Sequence, residues 1–353
     1  MDLTTLGWDA PWEAAFAAHL AAGLQPGRVV GEDKHHYRVV TAAGESLAQV
    51  AGRLLRPGQD PAGLPKVGDW VGIEPAAQGN RTRIPVVLPR RTSLARKVSG
   101  RAAGMQVLAA NIDVVFVVQA CDPTFNPRRL ERFLVMVHEG GARPVVVLNK
   151  ADLADDPDRF LAEARQVAGP VEVVGTSART GRALPRLRAF LAAGRTAAFL
   201  GTSGVGKSSL INRLCGERLQ PTLPVRADDS KGRHRTSWRE MLPLPGGGLV
   251  IDTPGLREFH LWEAGEGLEE AFPEVARLAA GCRFGDCRHE AEPGCAVREA
   301  AAAGRLPATR WESFRKLQQE LAALREARRQ QDQRRTTRPR AGRPPTPDPD
   351  EES

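Results

Sequence analysis

The segment Gly201–Ser208 has the residue types and the spacing that bind a polyphosphate. It matches the phosphate-loop pattern G-x-x-x-x-G-K-S. Backbone N–H groups of such a loop surround the phosphates, and its glycines permit close approach. We therefore predict that Lys207 contacts the β- and γ-phosphates and that the Ser208 hydroxyl ligates Mg²⁺. The residues predicted to surround the phosphates are Gly201, Thr202, Ser203, Gly204, Val205, Gly206, Lys207 and Ser208.

A second phosphate-side motif, Asp-Thr-Pro-Gly at 252–255, follows an apolar run at 248–251. We predict that Asp252 holds Mg²⁺ through water and that the Gly255 backbone N–H contacts a γ-phosphate. Alone, this tetrapeptide is a common turn. It indicates a nucleotide site here because a phosphate loop precedes it in the chain.

The sequence Asn149-Lys150-Ala151-Asp152 ends another apolar run and has the composition of a base-reading loop. The Asp152 carboxylate can accept hydrogen bonds from N1–H and N2–H₂ of guanine, which adenine does not offer. Such a site discriminates strongly, because the wrong base leaves a buried acceptor unpaired. Ser177 and Ala178 add a backbone contact to the guanine O6. The motif favours a guanine nucleotide and argues against an ATPase or a kinase.

The order of these motifs is unusual. The base-reading motifs at 149–152 and 176–178 precede the phosphate motifs at 201–208 and 252–255. Ordinary small GTPases present the phosphate loop first and the base-reading loops last. We therefore predict a GTP-binding domain whose motif order is circularly permuted.

A third cluster gathers three cysteines and one histidine within a short stretch, Cys282, Cys287, His289 and Cys295. Three thiolates and one imidazole complete a tetrahedral structural Zn²⁺ site without an open position. A disulfide is the competing interpretation, but three cysteines do not pair evenly. The cluster predicts one structural zinc ion.

The elements that position these residues indicate a multidomain chain of 353 residues. Short alternating strands separated by Gly and Pro predict a five-stranded OB-fold β-barrel near the N-terminus. Apolar strands that alternate with amphipathic helices predict an α/β P-loop GTPase domain with a mostly parallel sheet. A mostly helical zinc-binding domain follows. The predicted boundaries are an extension at 1–26, the barrel at 27–92, a basic linker at 93–110, the permuted GTPase domain at 111–265, the zinc-binding domain and C-terminal helix at 266–328 and a disordered Arg/Pro-rich tail at 329–353.

Positive charge is concentrated in two places in a chain whose formal net charge is +8. Residues 81–101 contain seven basic side chains and no acidic one, and arginines recur from 325 to 343. The first stretch is either a solvated linker or a track for an RNA phosphate backbone, and the second either a solubilising tail or an RNA contact. Without an apolar run long enough for a membrane span or a signal peptide, we expect a cytoplasmic protein without membrane contact.

The barrel, the permuted motif order and the terminal Cys-Cys-His-Cys cluster together resemble the RsgA family, bacterial GTPases that depend on the small ribosomal subunit. The likeness extends from about residue 27 to about residue 319. It implies a GTP hydrolase that assists late maturation of the 30S subunit, binds 16S rRNA, leaves on hydrolysis and uses one zinc ion and Mg²⁺ with GTP. A monomer is expected. The resemblance adds Ser209 to the residues that bind GTP.

Residues 231–234, Lys-Gly-Arg-His, resemble the family's first switch loop, and Thr236 is the hydroxyl that we assign to Mg²⁺. The position that orients the attacking water in small GTPases is Leu256 here, an apolar side chain. His234 is the candidate to orient that water, with a packing or rRNA-contact role as the alternative. Two other functions stay open: a GTP-regulated RNA-binding module with negligible turnover, and a permuted GTPase of large-subunit assembly.

Overall fold

The computed structural model describes residues 2–33, 36–55, 61–74, 82–97, 105–216, 239–252 and 266–336. The chain opens with a short 3₁₀ helix, Leu3–Leu6, and one α-helix, followed by five strands. These elements are α1 Ala10–Ala21, β1 Gln25–Asp33, β2 His36–Thr41, β3 Gly44–Val50, β4 Trp70–Glu74 and β5 Thr82–Val87.

The five strands close into a barrel. β1 pairs antiparallel with β2 and β4, β2 pairs with β3, β3 runs parallel to β5, and β5 pairs back to β4. Apolar residues at alternate positions fill its interior, and Val29, Val39, Val71 and Ile84 are fully buried there. The predicted OB-fold barrel is confirmed, because the alternation in the sequence matches the two faces of each strand.

The N-terminal extension packs against the barrel. The Asp9 side chain caps α1 by accepting from the Trp12 N–H at 3.0 Å, and Trp12 and Phe16 are buried. The ring centroids of Trp8 and Trp70 lie 4.7 Å apart. Large aromatic surfaces therefore join the extension to the barrel.

Residues 93–110 include a hairpin where the sequence predicted only a linker. β6 Ser93–Lys97 pairs antiparallel with β7 Met105–Ala110. Leu94, Val107 and Leu108 are almost completely buried. The short apolar positions escaped notice because Arg96, Lys97 and Arg101 led the sequence interpretation to a basic linker.

Two arginines of the basic stretch form ion pairs within the protein. Arg90 donates to both oxygens of Asp69, at 2.8 and 2.7 Å, and Asp69 is fully buried. Arg91 forms a bidentate pair with Asp9, at 2.6 and 2.7 Å, and lies over the Trp12 ring. Arg90 is therefore neutralised by a buried carboxylate and Arg91 by an exposed one, while the interpretation of this stretch as an RNA track stays a prediction.

The second unit is an α/β domain. Its described residues contribute six strands to a sheet that continues into the barrel. Its spatial order is β10-β9-β8-β11-β13-β12, parallel except for β12, and β12 also pairs with β1 of the barrel. All seven residues of β8 are buried, as expected for a central parallel strand. The elements are β8 Val114–Ala120, α2 Pro127–Glu139, β9 Arg143–Asn149, α3 Pro157–Ala168, β10 Val173–Gly175, α4 Leu184–Arg188, β11 Thr196–Leu200, α5 Lys207–Cys215, β12 Arg239–Pro243 and β13 Leu249–Asp252.

The C-terminal unit is mostly helical in its described residues. Arg310 fixes it to the α/β domain by donating to Glu131 of α2 and to Glu274, each at 2.7 Å. None of the helices in the described part of the chain is long and apolar enough to cross a membrane. The helices are α6 Glu266–Ala271, α7 Pro273–Ala279, α8 Ala296–Ala302 and α9 Ala308–Thr336.

Helix α9 continues past residue 328, where the sequence predicted that disorder begins. It ends at Thr336, and the rest of the tail lies outside the described residues. Arg, Gln, Glu and Ala are strong helix formers, and Gln330 donates to the Glu326 carboxylate one turn earlier at 2.9 Å. Reading this segment by its charge alone led to the wrong boundary.

The Arg90–Asp69 pair generates a stability prediction. Burial raises the pKa of Asp69 in spite of Arg90, so the carboxylate depends on its partner. Arg90→Met leaves a buried charge unpaired and should lower the free energy of unfolding by about 3 kcal/mol or more.

The exposed Arg83 on β5 provides the matched control. Arg83→Met should change stability by less than about 0.5 kcal/mol. Urea unfolding followed by tryptophan fluorescence measures both variants. Equal stability of the two variants would contradict the structural role of Arg90.

Candidate nucleotide site and metal cluster

The predicted nucleotide motifs meet at one edge of the parallel sheet. β9, β10, β11 and β13 run parallel, so the loops that follow them leave the sheet on the same side. Ligands of open α/β sheets bind at the carboxyl ends of the strands. The fold therefore brings together motifs that lie up to a hundred residues apart in the chain.

The phosphate loop joins β11 to α5 by close backbone packing. A Cβ at Gly201 would lie 2.3 Å from the Val118 carbonyl oxygen, and Gly204 and Gly206 have φ values of +80° and +93°. Only glycine adopts these positions without strain. The Lys207 ammonium donates to the carbonyls of Gly201 and Thr202, both at 2.7 Å, and is thereby fixed across the start of the loop.

Asn149 connects the base-reading loops to the phosphate loop. Its Nδ2 donates to the Val205 carbonyl at 2.8 Å, and its Oδ1 accepts from the Ala178 N–H at 3.0 Å. The residue is only 2% exposed. A Cβ at Gly206 would lie 2.2 Å from Asn149 Nδ2, so the loop approaches this amide as closely as glycine allows.

Asp152 presents a charged acceptor beside this bridge. A hydrogen bond from the Ser177 hydroxyl and the Arg179 guanidinium lower the pKa of Asp152, and Arg179 lies 2.7 Å from Oδ2. Lys150 adopts a positive φ of 63°, and its Nζ lies 3.4 Å from Asp122 Oδ2. The carboxylate therefore stays ionised and available to hydrogen-bond donors.

The remaining predicted phosphate-side residues lie at the same edge or outside the described residues. Ser208 and Ser209 belong to the first turn of α5, and Asp252 ends β13, which pairs with β11. The predicted residues that the structure does not describe are His234, Thr236 and Gly255.

Sequence reasoning missed two arginines around the base-reading loop. Arg179 ion-pairs with Asp152, and Arg213 of α5 donates to the carbonyls of Ala178 and Arg179 at 3.0 and 2.6 Å. The signal for Arg179 was its position directly after Ser177-Ala178. Nothing in the local sequence indicates the contacts of Arg213, because its two partners lie 35 and 34 residues earlier in the chain.

The four predicted zinc ligands form one cluster between α7 and α8. Cys282, Cys287, His289 and Cys295 place their ligand atoms within 4.8 Å of one another. Cys295 Sγ lies 3.3 Å from His289 Nδ1 and 4.0 Å from Cys282 Sγ, near the edge lengths of a tetrahedron with ordinary zinc bonds. The donor set and its size fit one metal ion.

Glu292 orders the loop that carries two of these ligands. Its carboxylate accepts from the backbone N–H groups of Arg288, Glu290 and Ala291, at 2.9, 2.8 and 3.1 Å. Its own backbone N–H and that of Arg288 lower the pKa of Glu292 to about 2. The ionised Glu292 carboxylate therefore stabilises the loop in which His289 adopts a positive φ of 61°.

The fold and the converging loops define a P-loop GTPase of the circularly permuted class. A family model described as RsgA GTPase matches residues 87–262. The small ribosomal subunit biogenesis GTPase RsgA of Opitutus terrae is 48% identical over 331 residues, 91% of this chain and 90% of that protein. Its counterpart in Streptomyces coelicolor is 46% identical over 90% of this chain and 86% of its own length. The chain belongs to the RsgA family, as the sequence predicted.

Two solved structures share this fold. The crystal structure of YjeQ from Thermotoga maritima has a TM-score of 0.64 and 29% identity, and the match covers 85% of this chain and 99% of that one. The structure of YloQ, a circularly permuted GTPase, has a TM-score of 0.60 at 24% identity, and the match covers 85% of this chain and 96% of that one. The predicted multidomain fold is confirmed.

The Glu292 contacts predict a role in metal affinity. Glu292→Gln removes the charge that binds three N–H groups, so the affinity for Zn²⁺ should fall by about ten-fold or more. Competition with a chromogenic chelator measures it. The control is Glu290→Gln, which removes an exposed charge from the same loop. Equal affinities of the two variants would show that Glu292 does not organise the site.

Proposed function

We propose that this GTPase is a late maturation factor of the 30S ribosomal subunit that binds 16S rRNA and leaves after GTP hydrolysis. The nucleotide part of the proposal rests on the Asn149 side chain, which hydrogen-bonds to both the base-side loop and the phosphate loop. The names of the relatives, which match over nine-tenths of the chain, support the ribosomal part. The proposal also includes a cytoplasmic location and a monomeric state.

In the proposed complex, the Asp152 carboxylate accepts from N1–H and N2–H₂ of guanine, while Asn149, Lys150, Ser177 and Ala178 complete the base pocket. In this structure the Ala178 N–H donates to Asn149 Oδ1, and in the proposed complex it would donate to the guanine O6 instead. The phosphates are surrounded by Gly201, Thr202, Ser203, Gly204, Val205, Gly206, Lys207, Ser208 and Ser209, with Gly255 at the γ-phosphate.

Two metal ions belong to the proposal. Mg²⁺, bound with GTP, neutralises phosphate charge, and Ser208, Thr236 and Asp252 would hold it. Hydroxyl and carboxylate oxygens are suitable ligands for this hard cation. The cysteine-histidine cluster would hold Zn²⁺, because soft thiolates and imidazole in a closed set of four select that ion.

His234 is proposed to orient the attacking water. Leu256 follows the Asp-x-x-Gly motif and has no polar atom to do so. An imidazole accepts a proton or holds a water near neutral pH. We expect slow turnover by the isolated protein and faster turnover in the presence of 30S subunits.

Turnover of GTP with isolated 30S subunits, with isolated 50S subunits and without ribosomes tests the proposal. Acceleration by 30S subunits alone is the expected result. Acceleration by 50S subunits alone would favour a factor of large-subunit assembly. Absence of any acceleration, together with tight GTP-dependent RNA binding, would favour a regulatory RNA-binding module.

The same assay tests His234. His234→Ala should retain binding of GTP and of 30S subunits, while 30S-stimulated turnover falls by roughly 100-fold or more. Stimulated turnover near the wild-type value would exclude His234 as the group that orients water.

A further inference from the structure

Three arginines lie in the first two turns of α2, and they have different partners. Arg128 lies 3.6 Å from the Glu312 carboxylate, and Arg132 lies 2.7 Å from the Glu320 carboxylate. Both carboxylates belong to α9, so these two arginines join α2 to the C-terminal helix. In the part of the chain that the structure describes, Arg129 forms no ion pair with a carboxylate.

The Arg129 side chain is directed to the phosphate loop instead. Its Nη1 lies 3.4 Å from the Thr202 hydroxyl oxygen, and its Nη2 lies 3.5 Å from the Thr124 carbonyl oxygen. Both distances are long for hydrogen bonds from a guanidinium, and the residue is half-buried. The charged group is therefore held only weakly, and it can exchange these neutral acceptors for an anion.

The sheet explains why Arg129 lies beside the phosphate loop. β8 and β11 are parallel neighbours, with Val117 opposite Leu200, so the segments that follow these strands leave the sheet side by side. The segment after β11 is the phosphate loop, and the segment after β8 leads into α2. Gln119 of β8 binds both backbone groups of Asn126, at 3.0 and 3.2 Å, which fixes the start of α2.

Arg129 and the phosphate-loop lysine meet at the same residue. Lys207 Nζ donates to the Thr202 carbonyl at 2.7 Å, while Arg129 lies beside the Thr202 hydroxyl. In a phosphate loop the backbone N–H groups surround the α- and β-phosphates, whereas the lysine reaches the β- and γ-phosphates. A second cation beside that lysine therefore lies toward the end of the triphosphate that the N–H groups leave open. A guanidinium binds phosphate oxygens through two parallel donors.

We propose that Arg129 binds the γ-phosphate when GTP occupies the site, and that it leaves Thr202 and Thr124 to do so. This inference rests on the proposed function, since it requires GTP as the nucleotide. It adds to that function a cation from α2 that distinguishes GTP from GDP. An arginine at the γ-phosphate also stabilises the charge of the transition state of phosphoryl transfer.

The test compares GMPPNP, a GTP analogue that is not hydrolysed, with GDP. Arg129→Met removes the guanidinium and keeps an unbranched side chain, so the affinity for GMPPNP should fall by about ten-fold or more. The affinity for GDP should change by less than about three-fold, because GDP has no γ-phosphate. Arg129→Lys keeps the charge and should recover part of the GMPPNP affinity. Titration with nucleotides that carry a fluorescent group on the ribose measures both affinities.

Arg128→Met is the matched control, because Arg128 precedes Arg129 in the same turn and forms an exposed ion pair with Glu312. It should leave both affinities unchanged. An equal loss for GMPPNP and GDP in Arg129→Met would show that Arg129 supports the loop as a whole. That result, or no loss for either nucleotide, would overturn the γ-phosphate contact alone. Absence of a preference for GDP over ADP in the wild type would overturn the proposed function, and the inference with it.

Discussion

The buried amide of Asn149 is the contact on which the nucleotide site depends. Its Nδ2 satisfies the Val205 carbonyl of the phosphate loop, and its Oδ1 receives the Ala178 N–H of the second base-reading loop. A buried polar group without partners is costly, so each loop stabilises the position of the others. The absence of a side chain at Gly206 is part of the same contact, since any Cβ there would collide with the amide.

This constraint explains why the permuted order is compatible with one site. The position of each loop is set by its strand in the sheet, and the sheet order does not depend on which strand comes first in the chain. The barrel also joins this sheet. β12 pairs with β1, and Arg38 of the barrel binds Glu240 of β12 at 2.7 Å. The barrel is thereby a continuation of the GTPase sheet.

The motif residues and the barrel were predictable from sequence because their signals are local. A phosphate loop, an alternating strand and four metal ligands each lie within a short stretch. The contacts of Arg90 and Arg213 were not predictable, since each binds a partner that only the tertiary fold brings near. For the same reason the sequence could not separate internal arginines from those available to RNA. The hairpin at 93–110 was obscured by three basic residues among apolar ones, and the end of α9 by its charged composition.

The central claim is that Asp152 and the phosphate loop serve one guanine nucleotide. The Asp152→Asn variant tests it most directly. The ratio of the affinity for GDP to the affinity for xanthosine diphosphate (XDP) is measured for the wild type and the variant. The Asn oxygen still accepts from N1–H, but its amide donates, which matches the O2 of xanthine and opposes the N2–H₂ of guanine. The account predicts that wild type prefers GDP and that Asp152→Asn prefers XDP. An unchanged preference in the variant would contradict it.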